Sequence, residues 1–251
     1  MTAKDKNILI TGASSGIGEA LALYYAKNGA ENLFLCGRNA QRLQKVKELC
    51  EKNGATVYAE ILNVSERENV QKWLENCEKI APLDIVYANA GVSTGEETPL
   101  NIYNTFEINV MGTINTVTPA VEIFKKRRKG KIVITASIAG YHGLPACPSY
   151  SASKACIKAY GEALRGALLP YNIKVCVVCP GFVKSRITDK NTCPMPFFMQ
   201  ADKAAKIIAK RVEKNVGLIA FPWPMRLAVW GLSILPNFIS DFIYARLPHK
   251  V

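Results

Sequence analysis

Histidine is almost missing from this chain: His142 and His249 are the two it has in 251 residues. Conventional zinc sites draw on imidazole, so no metal centre is expected. The eight cysteines show no paired spacing, and Met1 to Lys6 holds no cleavable apolar leader. Free thiols in a reducing cytoplasm are therefore expected, rather than disulfides. Cys176 and Cys179 do form a C-x-x-C, but they fall in the apolar run Lys174 to Pro180, where two-residue alternation sends them to opposite faces. Packing, not redox chemistry, is the role that follows. No linker and no repeat interrupts the chain, so residues 1–251 are expected to form a single domain, with 49% hydrophobic content sufficient for a full core. Acidic residues are outnumbered 20 to 32 by basic ones, leaving a net charge of +12. That balance suits an anionic partner such as a nucleotide, an acyl carrier or a membrane surface. The one dense basic run, Lys125 to Lys129, falls where a long amphipathic helix should end and so complements a helix dipole. No nucleic-acid motif accompanies it, and no nucleic-acid partner is expected.

What is present is an alternation. Short apolar runs at Asn7 to Thr11, Asn32 to Cys36, Thr56 to Ile61, Asp84 to Ala88, Lys131 to Ser137, Lys174 to Cys179 and Gly217 to Phe221 are separated by amphipathic stretches. Helices are predicted over Gly16 to Asn28, Ala40 to Asn53, Glu66 to Lys79, Asn101 to Lys126, Tyr150 to Leu169 and Asp202 to Lys214. Near-continuous apolarity in several strands means that both faces are covered, which predicts an α/β fold with a doubly wound, mostly parallel sheet of Rossmann type.

The first strand runs into Gly12-Ala13-Ser14-Ser15-Gly16-Ile17-Gly18 and then a helix-forming stretch. Glycines there turn the chain off the strand, let backbone approach a pyrophosphate and let helix and sheet pack closely, while the helix N-terminus supplies free N–H donors. The strand-to-helix context raises the triplet above a chance match. At the end of the second strand, where NAD sites commonly carry a carboxylate for the ribose hydroxyls, the chain reads Cys36-Gly37-Arg38-Asn39. A guanidinium at Arg38 pairs with a 2′-phosphate instead, so NADP (as NADPH) is expected and NAD is disfavoured.

Tyr150 and Lys154 stand four apart on a predicted helix, hence on one face. A neighbouring ammonium is expected to lower a phenol pKa toward the working range, making Tyr150 a proton donor, while Lys154 holds the nicotinamide ribose. Ser137 closes its predicted strand at the ligand-binding end of the sheet and is placed to hold a carbonyl oxygen. Asn109, inside the long predicted helix, is a poor helix former that could support a water or proton relay. Together, Thr11 to Gly18, Asn89-Ala90-Gly91, Asn109, Ser137, Tyr150, Lys154 and Pro180-Gly181 resemble the short-chain dehydrogenase/reductase family of classical type, from about Lys6 to Ser185. The resemblance implies a seven-stranded sheet, an Asn109, Ser137, Tyr150, Lys154 tetrad and a homodimer or homotetramer. It also implies that Asn89, Ala90 and Gly91 flank the adenosine side and that Pro180, Gly181 and Val183 approach the nicotinamide. Two departures stand out: Asn63 occupies the usual aspartate position before Val64, although an amide can still bond adenine, and Ser185 replaces a common threonine.

Residues 184–200 occupy the position of the family's substrate lid, and Met195, Phe197, Phe198 and Met199 there suggest a lipophilic substrate. Tyr141, His142 and Leu144 are candidates for the wall of the same pocket. An apolar C-terminal extension follows over about 222–247, broken by Pro222, Pro224 and Pro236, so two short amphipathic helices near Met225 to Leu235 and Asn237 to Ala245 are predicted rather than a membrane span. They would pack against another subunit or touch a membrane peripherally. The expected function is reduction of a lipophilic ketone, aldehyde or steroid-like carbonyl by NADPH, or the reverse oxidation of the alcohol. The alternatives are reduction of 3-oxoacyl groups on an acyl carrier protein, with Arg127, Arg128 and Arg165 meeting the carrier, and a non-catalytic NADP-sensing module.

Overall fold

The structure is a computed structural model that describes residues 6–189, 191 and 194–244. Its elements run β1 Asn7–Thr11, α1 Gly16–Lys27, β2 Asn32–Gly37, α2 Ala40–Glu51, β3 Thr56–Ile61, α3 Arg67–Ile80, β4 Ile85–Ala88 and α4 Pro99–Phe106. A π-helical turn, Glu107–Met111, leads into α5 Gly112–Arg127, β5 Gly130–Thr135, α6 Pro148–Ala167, β6 Ile173–Pro180 and a short α7 Arg186–Asp189. α8 Ala201–Glu213, β7 Leu218–Phe221, α9 Trp223–Ile234 and α10 Asn237–Tyr244 complete the chain.

All seven strands pair in parallel, in the order β3-β2-β1-β4-β5-β6-β7. The interior strands are buried along nearly their whole length, whereas edge strand β3 buries little beyond Val57. Two apolar layers sandwich the sheet. Cys179 lies in one layer and Cys176 in the other, the outcome that strand alternation dictates. None of the seven described cysteines is in a disulfide, while Cys193 and His249 lie outside the described residues. The winding reverses between β1 and β4, and the crevice at the carboxyl ends of those strands is where such sheets bind ligands.

Three sequence expectations are corrected. The long helix Asn101 to Lys126 is divided by the π-helical turn, because the side chain of Asn109 bonds laterally to a loop and to α6 and opens the helical ladder. Ser137 does not close β5, which stops at Thr135. Its hydroxyl accepts from the Ala139 N–H at 3.1 Å and turns the chain into a tight helical turn over Ile138–Gly140. The third concerns three arginines. Arg127 donates to the Leu83 carbonyl and pairs with Glu78, Arg128 donates to the Pro170 carbonyl, and Arg165 donates to the Val175 and Asn215 carbonyls. These partners lie at the amino ends of β4, β6 and β7, so the arginines brace the edge of the sheet opposite the crevice.

Candidate active site

Thr11 ends β1 and stitches the crevice floor. Its hydroxyl accepts from the N–H groups of Asn89 and Ala90 at 3.0 and 3.1 Å and donates to the Tyr87 carbonyl at 3.2 Å. The Asn89 amide donates to the Thr11 carbonyl at 3.0 Å, and Thr135 donates to Asn89 Oδ1 at 3.3 Å. The ends of β1, β4 and β5 are thus locked together. Gly12 follows at φ +67°, a conformation that side chains rarely adopt, and a Cβ at Gly18 would lie 2.4 Å from the Gly12 carbonyl oxygen. Only glycine permits that approach between α1 and the loop, and a cradle of backbone N–H groups results.

Above this floor opens a cleft of about 360 Å³. One end is lined by Gly12, Ser14, Ser15, Gly16 and Ile17, with Arg38, Asn63 and Val64 beside them. Asn89, Ala90, Gly91, Pro180, Gly181, Val183 and Ser185 line the rest, and Ser137, Tyr150 and Lys154 complete the wall. Of the catalytic and cofactor residues named from sequence, Gly18 and Asn109 do not line it: Gly18 packs against the Gly12 carbonyl, and Asn109 is buried and bonded to Val92.

Lys154 is 3% exposed, and its Nζ donates to the Thr135 carbonyl at 3.0 Å. Burial lowers its pKa to about 8. Its Nζ lies 5.7 Å from the centre of the Tyr150 ring, one helical turn away on α6. The expected lowering of the phenol by this ammonium is not what dominates. Burial pushes Tyr150 up to about 12, with the Ser137 hydroxyl pulling the other way through a hydrogen bond. A phenol so held stays protonated at neutral pH, which is the form an acid needs.

Asn109 acts through structure rather than through a free amide. Its Oδ1 accepts from the Val92 N–H at 2.8 Å, and its Nδ2 donates to the Val92 carbonyl and to Ser153 Oγ, each at 3.0 Å. It ties the loop after β4 to the helix that carries Tyr150 and Lys154.

Four contributors were not named from the sequence. Arg42, in the first turn of α2, and Arg186, after Ser185, line the cleft near Arg38. Arg42 Nε is buried without a hydrogen-bond partner, and burial and then the charge of Arg186 lower the guanidinium's pKa. Arg42 follows Arg38 closely, in the first turn of the predicted helix, and that proximity in sequence is the signal that would have found the second guanidinium. Glu97 accepts from the backbone N–H and hydroxyl of Ser149, fixing the start of α6, a pairing across 52 residues that no local pattern announces. Thr188 donates to the Val183 carbonyl at 3.0 Å and shapes the loop beyond β6.

The apolar lid residues behave differently from expectation. Lys184 and Met199 join at the base of the loop through a 2.9 Å backbone bond, and Phe197 and Phe198 face solvent. The cleft takes Arg186, Ile187 and Thr188 from this segment instead. Residues 190, 192 and 193 of the expected lid lie outside the described residues. Tyr141, His142 and Leu144 do not line the cleft either, and Tyr141 packs on the core with Lys158 Nζ 4.8 Å above its ring centre.

A cleft that joins a backbone phosphate cradle to a buried ammonium, a protonated phenol and a hydroxyl is the plan of a nicotinamide-dependent oxidoreductase. The comparisons agree. A family model described as short chain dehydrogenase matches residues 6–194. An uncharacterized oxidoreductase of Myxococcus xanthus (strain DK1622) is 32% identical over 247 residues, covering 96% of this chain and 97% of its own. A short chain dehydrogenase from Mycobacterium paratuberculosis, solved bound to NAD, is 23% identical with a TM-score of 0.78 over 90% of this chain and 100% of its own. ElxO, solved with NADP bound, is also 23% identical, with a TM-score of 0.76 over 86% of this chain and 96% of its own. The chain belongs to the short chain dehydrogenase family and is a dehydrogenase/reductase enzyme.

Proposed function

We propose that this enzyme uses NADPH to reduce a lipophilic ketone, aldehyde or steroid-like carbonyl to the alcohol, and runs the reverse oxidation under the opposite cofactor ratio. The observation that carries this reading is the polarity of the cleft: Arg38, Arg42 and Arg186 gather at one end, and Ser137, Tyr150 and Lys154 at the other. A 2′-phosphate suits the first end, where Arg42 Nε is otherwise unpartnered. NAD offers no group of that charge.

The nicotinamide, when bound, supplies or accepts the hydride. The chain does the rest. Ser137 orients the carbonyl oxygen, Tyr150 passes its proton to that oxygen, and Lys154 holds the ribose and places positive charge beside the phenol. Gly181 borders Ile138 and Met225, with the Met225 sulfur 3.1 Å from where a Cβ would stand, and this apolar surround favours a lipophilic substrate. The acyl-carrier alternative loses its recognition surface, since Arg127, Arg128 and Arg165 brace the far edge of the sheet. A non-catalytic sensing module would have no use for the Tyr150 phenol hydrogen-bonded to Ser137. A homo-oligomer, carried over from the family, and a cytoplasmic setting that keeps the thiols reduced complete the reading.

The experiment follows the absorbance of reduced nicotinamide against a panel of ketones, aldehydes, steroids and 3-oxoacyl thioesters, with NADPH and NADH in parallel. Turnover of lipophilic carbonyls with NADPH preferred is the expected result, and Arg42→Ala should erode that preference by about tenfold or more while leaving NADH use unchanged. Equal losses for both cofactors would remove the phosphate-clamp assignment. Cofactor binding without turnover across the panel would favour the sensing module.

A further inference from the structure

Helix α9 has two faces. Met225 and Val229 pack inward on the core layer, and Met225 abuts Gly181 at the cleft. The other face presents Trp223, Leu227, Trp230 and Ile234, separated by four, three and four residues, which places them in one stripe. α10 continues with Phe238 and Phe242, four apart. All six side chains are between 54% and 74% exposed. Soluble proteins rarely leave such a run of large apolar groups uncovered without a partner for it.

We propose that this stripe seats the enzyme on the surface of an anionic membrane, with α9 and α10 lying in the interface. No helix among the described residues is long and apolar enough to cross a bilayer, so the contact is peripheral. Charge selects a bilayer over a second copy of the chain. The protein carries a net +12, and residues 217–251 hold Arg226, Arg246 and Lys250 against the single acid Asp241. A second copy would bring the same net +12 against this one, whereas anionic headgroups attract that charge. The chemistry of the stripe agrees, since an indole has an apolar body and one polar N–H and favours the boundary between hydrocarbon and water. The inner face of α9 then sets the cleft beside the interface, where a lipophilic carbonyl concentrates. That last consequence rests on the proposed function, but the surface assignment does not.

The tryptophans make the test specific. Of the three in the chain, Trp73 is 8% exposed in the core and the other two stand on the stripe. The full chain is mixed with vesicles of phosphatidylcholine alone and of phosphatidylcholine with phosphatidylglycerol, and tryptophan emission and co-sedimentation are read. Expected are a blue shift and co-sedimentation with the anionic vesicles, weakened by salt. Trp223→Ser with Trp230→Ser, or Leu227→Glu alone, should reduce co-sedimentation at least tenfold while the far-ultraviolet spectrum and melting temperature stay at wild-type values. No shift and no co-sedimentation with either vesicle would overturn the proposal. So would a concentration-dependent dimer that the same substitutions dissociate, which would assign the stripe to a second copy. Carbonyl turnover without vesicle binding would sink this inference alone, and vesicle binding without turnover would sink only the proposed reaction.

Discussion

At Lys154, burial and function pull against each other. The proposed reduction needs the ammonium charged and the Tyr150 phenol protonated. Burial keeps the phenol protonated up to about 12 but lowers the ammonium to about 8, so Lys154 sets the alkaline limit. The rate of carbonyl reduction should therefore hold steady at neutral pH and decline above about pH 8. Residual activity of Lys154→Arg, whose cation does not titrate in that range, should show no such decline. A wild-type rate unchanged well beyond pH 9 would separate Lys154 from the chemistry. The same shift bears on stability with a definite sign. The unfolded chain binds this proton more tightly than the folded one, so charged Lys154 disfavours folding below about pH 8, and the penalty is relieved as pH rises toward 10.5. The pairing of Tyr150 with Lys154 was legible from four-residue spacing. Which influence would dominate the phenol was not, because its desolvation and its partners Ser137 and Cys179 come from segments remote in the sequence.

Among the elements, the strands were the most legible, because parallel strands buried on both faces are written as apolar runs. Where side chains rather than periodicity end an element, the pattern misled. Ser137 carries the apolar run past the end of β5 but turns the chain with its own hydroxyl. Asn109 sits in an unbroken amphipathic pattern yet reorganises the helix through partners 17 and 44 residues away. That contact yields a prediction. Asn109→Leu leaves the Val92 N–H and carbonyl without a bonding partner and takes one of two bonds from the Ser153 hydroxyl, which keeps its bond to the Tyr150 carbonyl, at a cost of about 2–4 kcal/mol. The melting temperature should fall by roughly 5–15 °C, read by calorimetry, with turnover falling as α6 loosens. A variant that melts with the wild type would mean that Asn109 does not organise the turn. The loop beyond β6 was misread for a related reason: its apolar composition suggested a cover over substrate, but the backbone bonds between Phe182, Lys184 and Met199 pinch its base and leave Phe197 and Phe198 facing solvent.

Across the whole molecule, the strand order gathers the cleft at the carboxyl ends of the strands. Reversal of the winding between β1 and β4 opens the crevice, and the loops after β1, β2, β3, β4, β5 and β6 all contribute to it. The opposite edge holds the braced arginines, whose charge was visible in the sequence but whose location depended on which strand ends they reach. The central claim is that Tyr150 gives its proton to a carbonyl held beside a nicotinamide. It is tested most directly by rapid mixing of NADPH-loaded protein with a reducible lipophilic ketone, comparing wild type with Tyr150→Phe. The account predicts that the variant binds NADPH as tightly as the wild type, by fluorescence titration, but oxidises it about 10²–10⁴ times more slowly. Oxidation at the wild-type rate by a phenylalanine at position 150 would contradict it.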